Sequence, residues 1–222
     1  MIKRELYMSR IRPFIGTELI KVMTGIRRSG KSVMLELIKQ ELTESGVSPT
    51  QFISINFEDM SYSHLQTAQA LHDEITARAA KIEGKVYLFF DEIQEVKDWE
   101  KCINSFRVSL DCDIYITGSN AKLLSGELAT YLGGRYVEFV IYPFSFGEFM
   151  ELYRSIMPDA SIQQCFQKYL LAGGMPYLAN LRYADAPSEQ YLHDLFNSVQ
   201  LKDIVKRNKI RDVDLLERII AY

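Results

Sequence analysis

The chain has 222 residues and a formal net charge of −3, so it can bury one large core but carries no global positive field to hold nucleic acid by counterion release. Hydrophobic residues make up 47% and charged residues 25%, which excludes a chain dominated by disorder. No apolar run approaches a membrane span, no secretory h-region follows the N-terminal charges, and Cys102, Cys112 and Cys165 lack the spacing of a disulfide framework or zinc site. The expected compartment is the cytoplasm, where such thiols stay reduced.

Residues 1–17 carry Tyr7, Ile11, Pro13 and Phe14, a short amphipathic lead. Residues 18–24 read as a buried strand, and Gly25-Ile26-Arg27-Arg28-Ser29-Gly30-Lys31-Ser32 then fits G-x-x-x-x-G-K-[ST] at every fixed position. Glycines let backbone N–H groups curl around polyphosphate oxygens, Lys31 is placed for the β- and γ-phosphates, and the Ser32 hydroxyl is a ligand for Mg²⁺. From Ser32 to Glu44 the apolar residues Met34, Ile38 and Leu42 recur four apart, as one helix face requires. Residues 25–33, ending with Val33, are therefore the candidate nucleotide contacts. The lead before them covers either the base or a sheet edge.

Gly46 ends this helix, and residues 51–57 read as a second strand followed by Glu58 and Asp59, carboxylates that either assist a metal-bound water or are simply solvated. A helix over about 65–82 carries His72, with His64 beside it and no third ligand spaced with them. Residues 86–90, Val-Tyr-Leu-Phe-Phe, form a continuous apolar run of the kind expected in a central parallel strand, and Asp91-Glu92 follow at once. This is a Walker B pattern: one carboxylate holds the Mg²⁺ shell and the next takes a proton from attacking water. Trp99, Ile103, Phe106 and Leu110 mark the core face of another helix.

Residues 113–117 are a short strand closed by Gly118-Ser119-Asn120. If that strand lies beside the Asp91 strand, Ser119 or Asn120 is placed to orient the water, and either also suits the N-cap of a helix beginning at Ala121. Gly133-Gly134-Arg135 closes that helix, and residues 136–142 form a fifth strand. Alternating strands and helices to this point indicate a three-layer α/β/α parallel sheet over 1–143. After Pro143 the pattern turns purely helical, over 144–154, 161–172, about 187–206 and 212 to the end, with Gly173-Gly174-Met175-Pro176 as a sharp turn. Residues 144–222 are expected to form a small all-helical lid.

With GIRRSGKS, VYLFFDEIQ, YITGSNAKLL, GGRYVEF and LAGGMP assembled in order, the chain resembles the prokaryotic AAA+-type P-loop ATPases with a GxRRxGK[ST] loop, often placed near the STAND signalling ATPases. The resemblance implies an ASCE-type core with an extra strand between the two motif strands, a place that 51–57 fits. It also implies binding of ATP or ADP with Mg²⁺, hydrolysis, Lys31 and Ser32 on phosphate and metal, Asp91 in the metal shell and Glu92 as base. Ser119 or Asn120 matches sensor 1, and Gly174-Met175-Pro176 is similar to the GxP element by which STAND lids meet the nucleotide. Arg135 stands where such proteins carry an arginine finger for a neighbouring subunit, implying a homo-oligomer, or it is a structural ion-pair partner. No clear sensor 2 arginine is seen, with Arg182, Lys206 and Arg207 as candidates. A protein partner or a missing C-terminal domain is expected to receive the output, no membrane is involved, and DNA work through Arg27, Arg28, Lys206, Arg207, Lys209 and Arg211 is the alternative biology.

Overall fold

The computed structural model describes residues 2–118, 132–199, 215, 218 and 219. The chain divides into two compact units, Met1–Pro143 and Phe144–Tyr222. In the first, strands β1 (Ile20–Thr24), β2 (Phe52–Asn56), β3 (Val86–Asp91), β4 (Cys112–Thr117) and β5 (Tyr136–Val140) pair in the order β2-β3-β4-β1-β5, every pairing parallel. Helices α1 (Glu5–Ile11), α2 (Lys31–Glu44), α3 (Ala68–Ala79) and α4 (Trp99–Ser109) cover the two faces.

Alternation along each strand splits the core in two. Ile20, Val22, Leu88, Phe90, Ile114 and Ile116 pack with Leu71, Ile75, Ile103 and Phe106 of α3 and α4. Met23, Phe89, Tyr115 and Phe139 point the other way, onto Tyr7, Ile11, Met34 and Ile38 of α1 and α2. Three layers result, as the residue pattern predicts. Trp99 is buried in the first of these cores, and His72 stacks on Phe106 with ring centroids 5.5 Å apart while its Nε2 lies 3.1 Å from the Ser105 hydroxyl.

The spatial order corrects one expectation. The strand between β1 and β3 is β4, whereas β2, which intervenes in sequence, lies at the sheet edge. Order along a chain is not order in a sheet when every connection is a crossover. A second departure is Lys21, fully buried inside β1. Its ammonium donates to the Asp113 carboxylate, to Thr17 O at 3.1 Å and to Leu19 O at 2.8 Å. Asp113 also accepts from Gly16 N–H and from the Tyr115 hydroxyl, each at 2.7 Å. Burial pulls the Lys21 pKa down against the opposing pull of Asp113, and burial beside that carboxylate pushes the Tyr115 hydroxyl far up. The pair is tolerable in the core because its hydrogen-bonding capacity is met.

The second unit contains α5 (Phe146–Ile156), α6 (Ile162–Ala172) and α7 (Asp185–Val199). Capping boxes start the first two: Ser145 with Glu148, and Ser161 with Gln164. The Ser145 cap explains why α5 begins two residues later than the apolar pattern alone suggests. Phe149, Met175, Leu178 and Tyr183 form the core of this unit. Gly173 ends α6 with φ 69, and a Cβ on Gly174 would collide with the Phe144 carbonyl, whose own N–H donates to Gly174 O at 2.7 Å. Among the described residues, no helix is long and apolar enough to cross a membrane.

Candidate functional site

Parallel pairing brings the carboxyl ends of β1, β3, β4 and β5 to one edge of the sheet, where ligands of such sheets collect. The loop after β1 runs Gly25 to Gly30 and opens directly into α2 at Lys31. Gly25 is buried with φ 146, and a Cβ there would collide with the Ile141 carbonyl and come within 3.0 Å of the Ser29 hydroxyl. Arg28 has φ 65 and Gly30 φ 100, so the loop doubles back twice through left-handed backbone. Ile26 and Val33 are exposed, and the Ser29 hydroxyl, fully buried, finds no hydrogen-bond partner among the described residues.

Lys31 lies across this loop. Its Nζ donates to Gly25 O at 3.4 Å and Ile26 O at 3.3 Å, and sits 3.8 Å from Glu92 Oε1. Burial pulls its pKa below the ordinary lysine value, opposed by the nearby carboxylates of Glu92 and Asp91. Ser32 follows on the exposed side of the first turn of α2. Arg27 reaches Glu58 at 3.4 Å, and Asp59 caps the turn at Met60–Leu65 by accepting from Ser61 N–H at 2.9 Å.

Asp91 closes β3, and Glu92 turns out of it with φ 55, ψ 48, a backbone region that residues with a Cβ seldom occupy away from functional sites. Two neighbours fix that turn. Thr117, fully buried at the end of β4, donates its hydroxyl to the Asp91 carboxylate and accepts from Glu92 N–H at 3.0 Å. Gln94 Nε2 donates to Glu92 Oε2 at 2.5 Å, and its Oε1 is buried with no partner among the described residues. An ionised carboxylate only accepts, so the Gln94 amide must present nitrogen to it. Neither Thr117 nor Gln94 was assigned a role from sequence. Thr117 stands two and three residues before the candidates Ser119 and Asn120, and Gln94 closes the quoted VYLFFDEIQ.

The remaining candidates fall elsewhere. Ser119, Asn120, the helix expected from Ala121, Lys206, Arg207, Lys209 and Arg211 lie outside the described residues. Arg135 precedes β5 at the opposite end of the strands; its carbonyl accepts from Ile20 N–H at 3.0 Å and its guanidinium donates to Asn104 Oδ1 at 2.9 Å. A five-residue strand spans roughly 17 Å, so Arg135 does not reach the loop of its own chain. Among the described residues, the partner of its guanidinium is the Asn104 amide oxygen. Gly174 and Pro176 belong to the second unit, where Pro176 opens the turn Pro176–Ala179.

The residues present fit a magnesium polyphosphate. A Cβ-free turn, a left-handed glycine, an unpartnered buried hydroxyl and a buried ammonium make a donor-rich cradle for anionic oxygen. Ser32 and Asp91 carry hard oxygens of the kind that Mg²⁺ takes. No group of three or more His, Cys, Asp or Glu able to hold a metal occurs among the described residues. An ion placed here would complete its shell with phosphate and water, as Mg²⁺ prefers.

Residues 17–150 match the family described as AAA domain. An uncharacterized protein of Haemophilus influenzae is 40% identical over 223 residues, a match covering 100% of this chain and 55% of the relative. Another from Methanocaldococcus jannaschii is 31% identical over 202 residues, covering 87% of this chain and 44% of its own length. The chain therefore spans about half the length of these curated relatives. Among solved structures, AMPPCP-bound DnaA from Aquifex aeolicus is similar with TM-score 0.52 at 13% identity, covering 99% of this chain and 68% of that one. A Thermotoga maritima RuvB mutant gives TM-score 0.51 at 14% identity over 96% of this chain and 72% of its own. At such identity the likeness is one of fold.

Proposed function

The chain belongs to the AAA domain family of P-loop ATPases, and from that premise we propose that it binds MgATP at the Gly25–Ser32 loop and hydrolyses it. The observation that carries this reading is the meeting of Lys31 and Glu92, 3.8 Å apart, one delivered by the loop after β1 and the other by the end of β3. Lys31 and the loop N–H groups bind the β- and γ-phosphates. Ser32 and Asp91 would hold Mg²⁺, which neutralises phosphate charge when bound. Glu92 takes a proton from water as the water oxygen bonds to the γ-phosphorus. The bond from that phosphorus to the β,γ-bridging oxygen breaks, and ADP leaves with its electron pair. The structurally similar DnaA was solved with AMPPCP, an occupant of the class this reading requires.

The position of Arg135, at the far end of the sheet and exposed, supports its use in trans as an arginine finger. The site is then completed by a second copy of the chain. The helical unit from residue 144, carrying Gly174 and Pro176, serves as a lid that passes the nucleotide state to a protein partner or a further domain. Steady-state ATP hydrolysis across a wide range of protein concentration, with Lys31→Ala and Arg135→Ala alongside, tests the reading. Specific activity that rises with concentration and vanishes in both variants is expected. Equal, low activity in wild type and Arg135→Ala, with tight nucleotide binding, identifies a slow switch instead. No nucleotide binding at all refutes both.

A further inference from the structure

Arg4 lies far from the loop in sequence and directly on it in space. Its guanidinium is buried, 2% of the residue being exposed, and makes two hydrogen bonds to backbone carbonyls. One goes to Ser29 O of the phosphate loop at 2.9 Å, the other to Tyr142 O, just beyond β5, at 2.8 Å. The guanidinium also lies 4.6 Å from the centroid of the Tyr7 ring, and the Tyr7 hydroxyl accepts from Tyr142 N–H at 3.0 Å. Arg4 and Tyr7 thus hold both backbone polar groups of Tyr142. Arg4 reaches them from left-handed backbone, φ 47 and ψ 49, a conformation that persists only where its surroundings enforce it.

Peptide planarity gives the Ser29 contact a consequence for the ligand. In a trans peptide the carbonyl of one residue and the N–H of the next point in opposite directions. With Ser29 C=O drawn toward Arg4, Gly30 N–H is turned away from it. An amide oriented in this way by a fixed partner is a preorganised donor for an anionic oxygen. A planar fork holds the two carbonyls in one fixed geometry while it lies over the ring, which a compact ammonium on a flexible stem does not fix, so the site favours arginine over positive charge in general.

We propose that Arg4 is a positioning residue of the nucleotide site. It fixes the Ser29–Gly30 peptide for polyphosphate and ties the loop to Tyr142, on the segment by which the chain leaves the first unit. The inference rests on the ATP-binding reading for its ligand and on geometry alone for the tie. Arg4→Lys in the 222-residue chain keeps the charge and removes the fork; Arg4→Met keeps the stem and removes the charge. The measurements are ATP affinity by displacement of a fluorescent analogue, thermal unfolding, and amide hydrogen exchange of the nucleotide-free chain.

Arg4→Lys is expected to melt close to wild type, to bind ATP about tenfold more weakly, and to exchange faster at both Ser29, whose N–H donates to Ile26 O at 3.3 Å, and Tyr142. Arg4→Met should weaken binding further. Wild-type affinity in Arg4→Lys would show that Arg4 acts through charge alone and would overturn the assignment. Faster exchange at neither amide, or at only one, would overturn the tie. A wild-type chain that binds no ATP overturns the nucleotide reading, while the exchange comparison still decides whether Arg4 joins the two segments.

Discussion

Replacing Thr117 with valine tests how the acid pair is held. The change is nearly isosteric, so its effect isolates one hydroxyl. That hydroxyl donates to the Asp91 carboxylate and accepts from Glu92 N–H at 3.0 Å, in a residue with no exposed surface. A hydrogen bond to a charged group contributes about 1.5–3 kcal/mol, and stranding the Glu92 N–H adds about 1 kcal/mol, giving a loss of about 2.5–4 kcal/mol. In a chain of this size that lowers the melting temperature by roughly 5–15 °C. Glu92 is also released from its left-handed turn, so kcat for ATP should fall about tenfold or more, with a smaller change in KM. Thr117→Ser, which keeps the hydroxyl, should recover most of both losses. The assay is thermal unfolding with and without MgATP beside steady-state kinetics. A valine variant that melts within about 2 °C of wild type and turns over equally well would refute the reasoning.

Gly25→Ala drives a methyl group into the Ile141 carbonyl at φ 146, next to the 2.7 Å bond from Ile141 N–H to Thr24 O; a loss of about 3–6 kcal/mol and of ATP binding is expected in calorimetry. Gln94→Ala removes the amide that donates to Glu92 Oε2, and should lower kcat about tenfold while leaving ATP affinity within about twofold, with little further effect in a Glu92→Gln background. Alkali should destabilise the chain through the buried Cys102 and half-buried Cys112 thiols. Burial pushes Cys102 up to about 12 and Cys112 up to about 11, whereas the unfolded thiols ionise near 9. These raised values stabilise fully below the unfolded pKa, and the contribution is lost as pH rises from about 9 toward the folded values, by about 1.4 kcal/mol per pH unit for each thiol. Denaturant midpoints across that range should fall less steeply in Cys102→Ala; an identical slope would remove the thiols from the account.

The three-layer sheet was legible because its signals are local: a glycine loop between a strand and a helix, apolar residues four apart along that helix, and an apolar run ending in two carboxylates. What was not legible depends on contacts between distant positions. The carboxylate that Lys21 meets is not near it in sequence: Asp113 is 92 residues away, and only the pairing of β1 with β4 makes the two neighbours. The same pairing displaces β2 to the edge, a fact that no order of motifs along the chain contains. The candidate site divides along this line. Lys31, Asp91 and Glu92 are named by short patterns because reactive groups must be of particular types. Their orientation comes from Thr117, 26 residues beyond Asp91, and, for the loop, from Arg4, 25 residues before Ser29 and 138 before Tyr142. Those positions ask only for a hydroxyl at a strand end or a forked cation in a lead segment, demands too weak to mark a motif. Variants at Lys31 or Glu92 therefore test which groups the reaction needs, and variants at Thr117 and Arg4 test whether the fold must aim them.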